Sequence, residues 1–149
     1  MVTLLRPTFC LFLLTTLPTC GSGGNVSWGV EMSKQTPLTM ATMYHSAAVD
    51  ATTADQVFQL LIDVNYNFAS NLPEQVDRMA GRLTLRLCND NKESIAEIIA
   101  AGEDNGAVSY FRGLAQYLSS NLGGQEVDII LCREDLADEF YTLKWQAEN

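Results

Sequence analysis

Two segments of this chain repeat one pattern, and that pattern constrains the fold more than anything else in it. Leu83-Thr84-Leu85-Arg86-Leu87-Cys88-Asn89-Asp90-Asn91 and Val127-Asp128-Ile129-Ile130-Leu131-Cys132-Arg133-Glu134-Asp135 are each a short apolar run that ends in Leu-Cys and breaks into a polar, acidic turn. Each is preceded by an amphipathic stretch, Ala54 to Phe68 and Val108 to Leu122. Strands alternating with helices predict a parallel sheet with helices packed on it. In open sheets of that kind ligands collect where strands end at one rim.

The remaining elements are read from the same periodicities. Thr39 to Val49 has no helical stripe and is read as a strand. Thr52, three residues before Asp55, resembles a capping box, with Thr53 as the other candidate cap. Val57, Leu60, Leu61, Val64 and Phe68 follow at helical spacing, and Pro73 stops the helix. Glu74 to Gly81 is read as a polar connector. Leu83, Leu85 and Leu87 alternate with Thr84 and Arg86, which predicts a strand with one buried face. Lys92 to Ala101 predicts a short helix ended by Gly102. Val108, Phe111, Ala115, Leu118 and Leu122 make the longest stripe, widened by Tyr110, Leu114 and Tyr117. Val127 to Cys132 is the most β-rich run, in which Asp128 needs a partner or an edge position. Asp135 to Gln146 predicts a last helix because Leu136, Phe140 and Leu143 align. Tyr141, Leu143 and Trp145 also alternate, so an edge strand is the other reading.

The expected fold is therefore α/β: a small, mainly parallel three-stranded sheet with covering helices in the order β-α-β-α-α-β-α. Residues 39–149 form its single domain. A chain of 149 residues is long enough to bury such a core without metal or disulfide support.

Residues 1–20 read as a signal peptide. Arg6 is followed by the apolar run from Phe9 to Leu17, far shorter than the roughly 20 residues that span a bilayer. Leu17-Pro18-Thr19-Cys20 resembles the lipobox of bacterial lipoproteins, although Pro18 and Thr19 depart from it. The resemblance implies lipidation at Cys20 and a flexible tether over residues 21–38. Plain secretion, an uncleaved anchor and a misassigned start are the other readings. The chain is expected at the cell envelope or outside the cell.

Charge narrows the partners. Nine basic against 18 acidic residues give a net charge of −9. Such a surface repels phosphate backbones and anionic lipid, so no nucleic acid is expected. Basic proteins, peptides or cations remain as partners, along with the membrane surface if Cys20 carries lipid.

Right-handed crossovers would bring Asp50, Asn89 and Arg133 to one rim, with Asp90, Glu134 and Asp135 beside them. These six residues are the candidate binding set. The acids are oxygen ligands of the type a hard cation takes, but no Asp-x-Asp-x-Asp-Gly loop is present and capping of the next helix accounts for them. No metal and no cofactor are expected. Cys88 and Cys132 sit at matched strand ends, where an oxidising compartment favours a disulfide; two small buried hydrophobes are the other reading. His45 is the single histidine, so a thiol-dependent enzyme would pair it with Cys88 or Cys132. Ser46 points to the other face of that strand. The aromatic residues Tyr110, Phe111 and Tyr117 belong either to the core or to a groove.

From Thr42 to Cys132 the order of features resembles the first half of the Clp protease proteolytic-subunit and crotonase-like fold. Ala48-Val49-Asp50 followed by a helix, and Gly113-Leu114-Ala115-Gln116-Tyr117 before the strand at Val127, carry the likeness. Asn89 to Gly106 stands where that family has its Gly-rich oxyanion segment. Arg133-Glu134-Asp135-Leu136 stands at its nucleophile turn and contains no Ser, and no counterpart of the family's histidine follows. The resemblance implies a fold without the family's catalysis. The expected function is thus a non-catalytic binding or interaction protein of the cell envelope, with a protein or peptide partner. A small hydrolase or thiol enzyme is the alternative, and a self-associating envelope component a third.

Overall fold

The computed structural model describes residues 28–68 and 71–146. In chain order these form β1 (Val30–Gln35), β2 (Met40–His45), α1 (Ala51–Asp63), β3 (Glu74–Met79), β4 (Arg82–Cys88), α2 (Lys92–Ala101), α3 (Gly106–Asn121), β5 (Val127–Cys132) and β6 (Glu139–Trp145). A turn of 3-10 helix, Gly102–Asp104, links α2 to α3. All six strands belong to one sheet, and their order across it is their order in the chain. β1/β2, β3/β4 and β5/β6 pair antiparallel, whereas β2/β3 and β4/β5 pair parallel. Helix α1 makes the first parallel crossover, and α2 with α3 makes the second.

This mixed, mostly antiparallel six-stranded sheet overturns the expected three-stranded parallel one. Three strands lie outside the expected sheet, each for a local reason. β1 lies in the stretch read as tether, and as an edge strand it is mostly exposed, so it needs few apolar residues. β3, Glu-Gln-Val-Asp-Arg-Met, buries one apolar side chain, Val76, and reads as a connector. It is a strand because β4 offers it a complete ladder, from Glu74↔Leu87 to Met79↔Arg82. The hairpin closes through Ala80 and Gly81, both at positive φ (50° and 82°), the conformation whose twist matches that of two paired strands. In β6 the alternation of Tyr141, Leu143 and Trp145 prevails over the helical alignment of Leu136, Phe140 and Leu143.

Strand alternation sorts the side chains into two faces. Met43, Val76, Leu83, Leu85, Leu87, Val127, Ile129, Leu131 and Leu143 share one face and form a single buried cluster with side chains of all three helices. Helix α1 contributes Ala54, Val57, Phe58 and Leu61, and α3 contributes Val108, Leu114, Ala115 and Leu118. All three helices therefore cover the same face.

Polar caps start each helix. Asp50, rather than Thr52 or Thr53, caps α1, accepting from the Thr53 N–H at 2.9 Å and the Thr53 hydroxyl at 2.7 Å. Asn91 caps α2 through the Ser94 N–H, and Asn105 caps α3 through the Ala107 N–H, both at 2.8 Å. The backbone and side-chain bonds from Thr53 hold the Asp50 carboxyl below its ordinary value. Its stabilising contribution is present above the unfolded-state pKa of about 3.9 and is lost as pH falls through the lower folded value. Thermal unfolding of Asp50→Ala is expected below that of the parent chain at neutral pH, with the gap closing in strong acid. A gap independent of pH would refute this role.

Candidate functional site

Among the described residues, the second face of the sheet carries no helix. A row of side chains in register crosses it, Tyr44 of β2, Gln75 of β3 and Arg86 of β4, with Asp77 one step along β3. Trp28 lies over this row. Its ring meets Tyr44 edge-on at 5.3 Å, and its carbonyl accepts from the Gln75 amide at 2.6 Å. The chain then enters β1 through Gly29, at φ +104°, where a Cβ would overlap the His45 carbonyl. Only glycine accommodates both that φ and that approach, so Gly29 allows Trp28 to fold back onto the sheet.

Trp28 divides two open recesses. One, of about 460 Å³, is bounded by Trp28, Gln75, Asp77, Arg86, Leu136 and Glu139. The other, of about 320 Å³, is bounded by Trp28, Glu31, Thr42, Tyr44, Leu72 and Pro73. The indole N–H is buried and finds no acceptor among the described residues. Such an orphaned donor costs on the order of 1–3 kcal/mol.

Arg86 is held in place from several sides. Its Nη1 donates to the Leu136 carbonyl at 2.8 Å and to Glu139 Oε1 at 2.5 Å, and its Nε lies 3.8 Å from Asp77 Oδ2. Asp77 also accepts from the Ser46 hydroxyl at 2.5 Å and the Arg78 N–H at 2.8 Å. The larger recess therefore presents two carboxylates around one guanidinium, and Glu31 adds a third acid beside the smaller one.

Cys88 and Cys132 lie on this same face as Cα partners of β4 and β5. Both are buried thiols, and Cys132 Sγ donates to the Leu136 carbonyl at 3.5 Å. The contact with Cys132, together with burial, pushes Cys88 above the ordinary thiol value. A hydrogen bond from the Cys88 thiol lowers Cys132, with the Arg86 guanidinium adding to the effect against burial. His45 is on the helix-covered face with Met43, its Nδ1 3.1 Å from the Ser46 carbonyl. The sheet stands between His45 and both sulfurs, so no Cys–His dyad forms.

The expected rim divides in two. The β3–β4 hairpin reverses the chain, so β2 runs opposite to β4 and β5. Asp50 consequently lies at the other end of the sheet from Asn89 and Arg133. The latter two meet: the Asn89 N–H donates to the Cys132 and Arg133 carbonyls at 2.9 and 3.2 Å. Most of the polar groups here serve their own turns. Asn89 accepts from the Asn91 N–H at 2.9 Å, and Asp135 accepts from the Ala137 N–H at 2.7 Å. Arg133 pairs with Asp138 at 2.6 Å and stacks over Phe140. Asp90 and Glu134 are exposed members of the same turns. Among the described residues no group of three or more His, Cys, Asp or Glu side chains could hold a metal ion.

The aromatic stripe of α3 is split between two roles. Phe111 and Tyr117 pack partly against the core. Tyr110 is half exposed and, with Val64, Gly113 and Tyr117, lines a groove of about 340 Å³ on the helix side. The five residues from Gly113 to Tyr117 lie inside α3, and the segment from Asn89 to Gly106 contains α2. Cys20, the signal peptide and the first part of the tether lie outside the described residues. No helix among the described residues is long and apolar enough to cross a membrane.

Neither Trp28 nor Arg86 belongs to the binding set read from the sequence. Trp28 was visible as a lone aromatic in a Gly- and Ser-rich stretch, and Arg86 as a charge inside an apolar strand. No family model matches the chain, and neither a curated protein nor a solved structure does.

Proposed function

We propose that this is a non-catalytic binding protein of the cell envelope that takes up a peptide or protein partner on the helix-free face of its sheet. It is exported and, where Cys20 is modified, tethered to a membrane surface. The observation that carries the reading is Trp28, an aromatic anchor between two open recesses whose buried N–H lacks an acceptor among the described residues. A backbone carbonyl of a bound peptide would satisfy that donor. Asp77, Glu139 and Glu31 favour a partner with cationic side chains, in keeping with the chain's net charge of −9.

Binding is testable with the protein's own fluorescence, because Trp28 and Trp145 are its two tryptophans. In a Trp145→Phe background, Lys- and Arg-rich peptides are expected to shift Trp28 emission at lower concentration than acidic peptides of equal length. Trp28→Ala should weaken binding, read by anisotropy of labelled peptide, by about 30-fold or more, as loss of an aromatic hot spot does. Replacing Glu134 and Asp135 by alanine should have a smaller effect. Equal affinity for basic and acidic peptides, or a larger loss at Glu134 and Asp135 than at Trp28, would overturn the assignment.

A further inference from the structure

We propose that Cys88 and Cys132 are a peroxide-sensitive dithiol, and that its oxidation to a cross-strand disulfide alters the floor of the Trp28 recess. The geometry comes first. Neighbouring strands lie about 4.7–4.9 Å apart, inside the Cα separation of about 4.4–6.8 Å that a disulfide spans. The two cysteines occupy matched positions and face the same way. They share a buried cluster with Ile130 and Leu136, and Trp28 packs against that cluster. The Leu136 carbonyl accepts from the Cys132 thiol at 3.5 Å and from Arg86 at 2.8 Å, so the thiol and the recess guanidinium share one acceptor.

The surroundings divide the chemistry between the two sulfurs. Cys132, favoured as thiolate by the Cys88 thiol and by Arg86, is the nucleophile; Cys88 keeps its proton and is the resolving thiol. The Cys132 thiolate attacks the terminal oxygen of a hydroperoxide, the O–O bond breaks, and an alkoxide or hydroxide leaves. That anion takes up the proton Cys132 gave when it ionised. Cys132 is then a sulfenic acid. The Cys88 sulfur attacks it, the S–O bond breaks, and the hydroxyl leaves as water with the Cys88 proton. Two thiols and one hydroperoxide become one disulfide, one alcohol or water, and one further water. Cys132 is 0% and Cys88 7% exposed, which keeps an oxidant the size of a tripeptide disulfide away from both sulfurs in the folded state.

Oxidation removes from Cys132 both of its ionisation states, the S–H that donates to the Leu136 carbonyl and the thiolate that faces Arg86. Leu136 and Arg86 both line the larger recess, so Trp28 reports the change whether or not a partner binds there. Failure of peptide binding and failure of this proposal are thus separate results.

The test is hydrogen peroxide added to the full chain, followed by intact mass, tryptic mapping and Trp28 emission in a Trp145→Phe background. The expected result is loss of the mass of two hydrogen atoms, a bridge mapped to the Cys88 and Cys132 peptides, and reversal by dithiothreitol. Trp28 emission should change with the same time course. Cys88→Ser should stop with one added oxygen at Cys132, and Cys132→Ser should leave Cys88 reduced at the same dose. Oxygen gained by the parent chain without a bridge, intermolecular disulfides alone, or equal oxidation of Cys132→Ser would overturn the pair. A bridged protein with unchanged Trp28 emission would overturn its link to the recess.

Discussion

Arg82→Met is expected to lower the stability of the domain by about 3–5 kcal/mol, the cost of leaving one member of a buried ion pair alone. Arg82 opens β4 on the helix-free face. Its Nε lies 2.9 Å from both oxygens of Asp128 and its Nη2 2.6 Å from Oδ1, a two-pronged grip. Nη2 also donates to the Trp145 carbonyl at 2.7 Å, which ties β4 through β5 to the edge strand β6. The side chains of Arg82 and Asp128 are 15% and 10% exposed, so neither charge is well hydrated. Glu126 also pairs with Arg82, but half its side chain is in water and its contribution is small. Urea unfolding of the single and double variants provides the check. Arg82→Met combined with Asp128→Leu should recover most of the loss, since no charge is then stranded. A double variant as unstable as the single one would show that the carboxylate is not the source of the cost.

Phe58→Ala is expected to cost about 3–5 kcal/mol by a different route, loss of packing together with the cavity left behind. Phe58 is fully buried in the face of α1 that meets the sheet. Its ring meets Phe68 edge-on at 5.3 Å, and the Lys34 ammonium of β1 lies 5.5 Å from its centre. One side chain thus joins the helix, the segment after it and the edge strand. Phe58→Leu should cost clearly less, because most of the volume is retained. Urea unfolding with unchanged slope would report the difference. Trp28 emission of the folded variant should match that of the parent chain, because Phe58 lies on the opposite face from the recess. A Phe58→Ala midpoint near that of the parent would contradict the burial of α1.

The two variants bear on how much could be read in advance. Asp128 inside an apolar strand announced that it required a partner, but nothing identified Arg82, 46 positions away, as that partner. On α1, Val57 and Leu61 were read correctly as inward-facing. Phe58 was missed, because the stripe was drawn through Leu60 and Val64, and Val64 is in fact exposed. An amphipathic pattern sets which arc of a helix turns inward more sharply than it sets the arc's edges. The cysteines were read as matched strand ends and do lie side by side, because β4 and β5 are parallel neighbours with equal phase. The six residues of the binding set do not share one rim. Their placement assumed three strands running the same way, and the β3–β4 hairpin put Asp50 at the far end.

What the sequence alone determined is local: which residues alternate with period two, which recur at helical spacing, and therefore which face each element buries. Where those assignments hold, as in β4 and α3, they do so because burial of apolar area is the main favourable term, and the pattern of apolar residues is that term written along the chain. The tertiary structure alone decided how many strands there are, which way they run and what stands on the uncovered face. β1 and β3 are strands because a neighbour offers each a hydrogen-bonding edge, an interaction of backbone groups that side-chain pattern does not encode. Trp28 reaches the sheet because Gly29 lets the backbone pass close to His45, and Arg86 becomes a recess wall only once Asp77, Glu139 and the Leu136 carbonyl surround it. Elements follow from neighbours in sequence, and the site from neighbours in space.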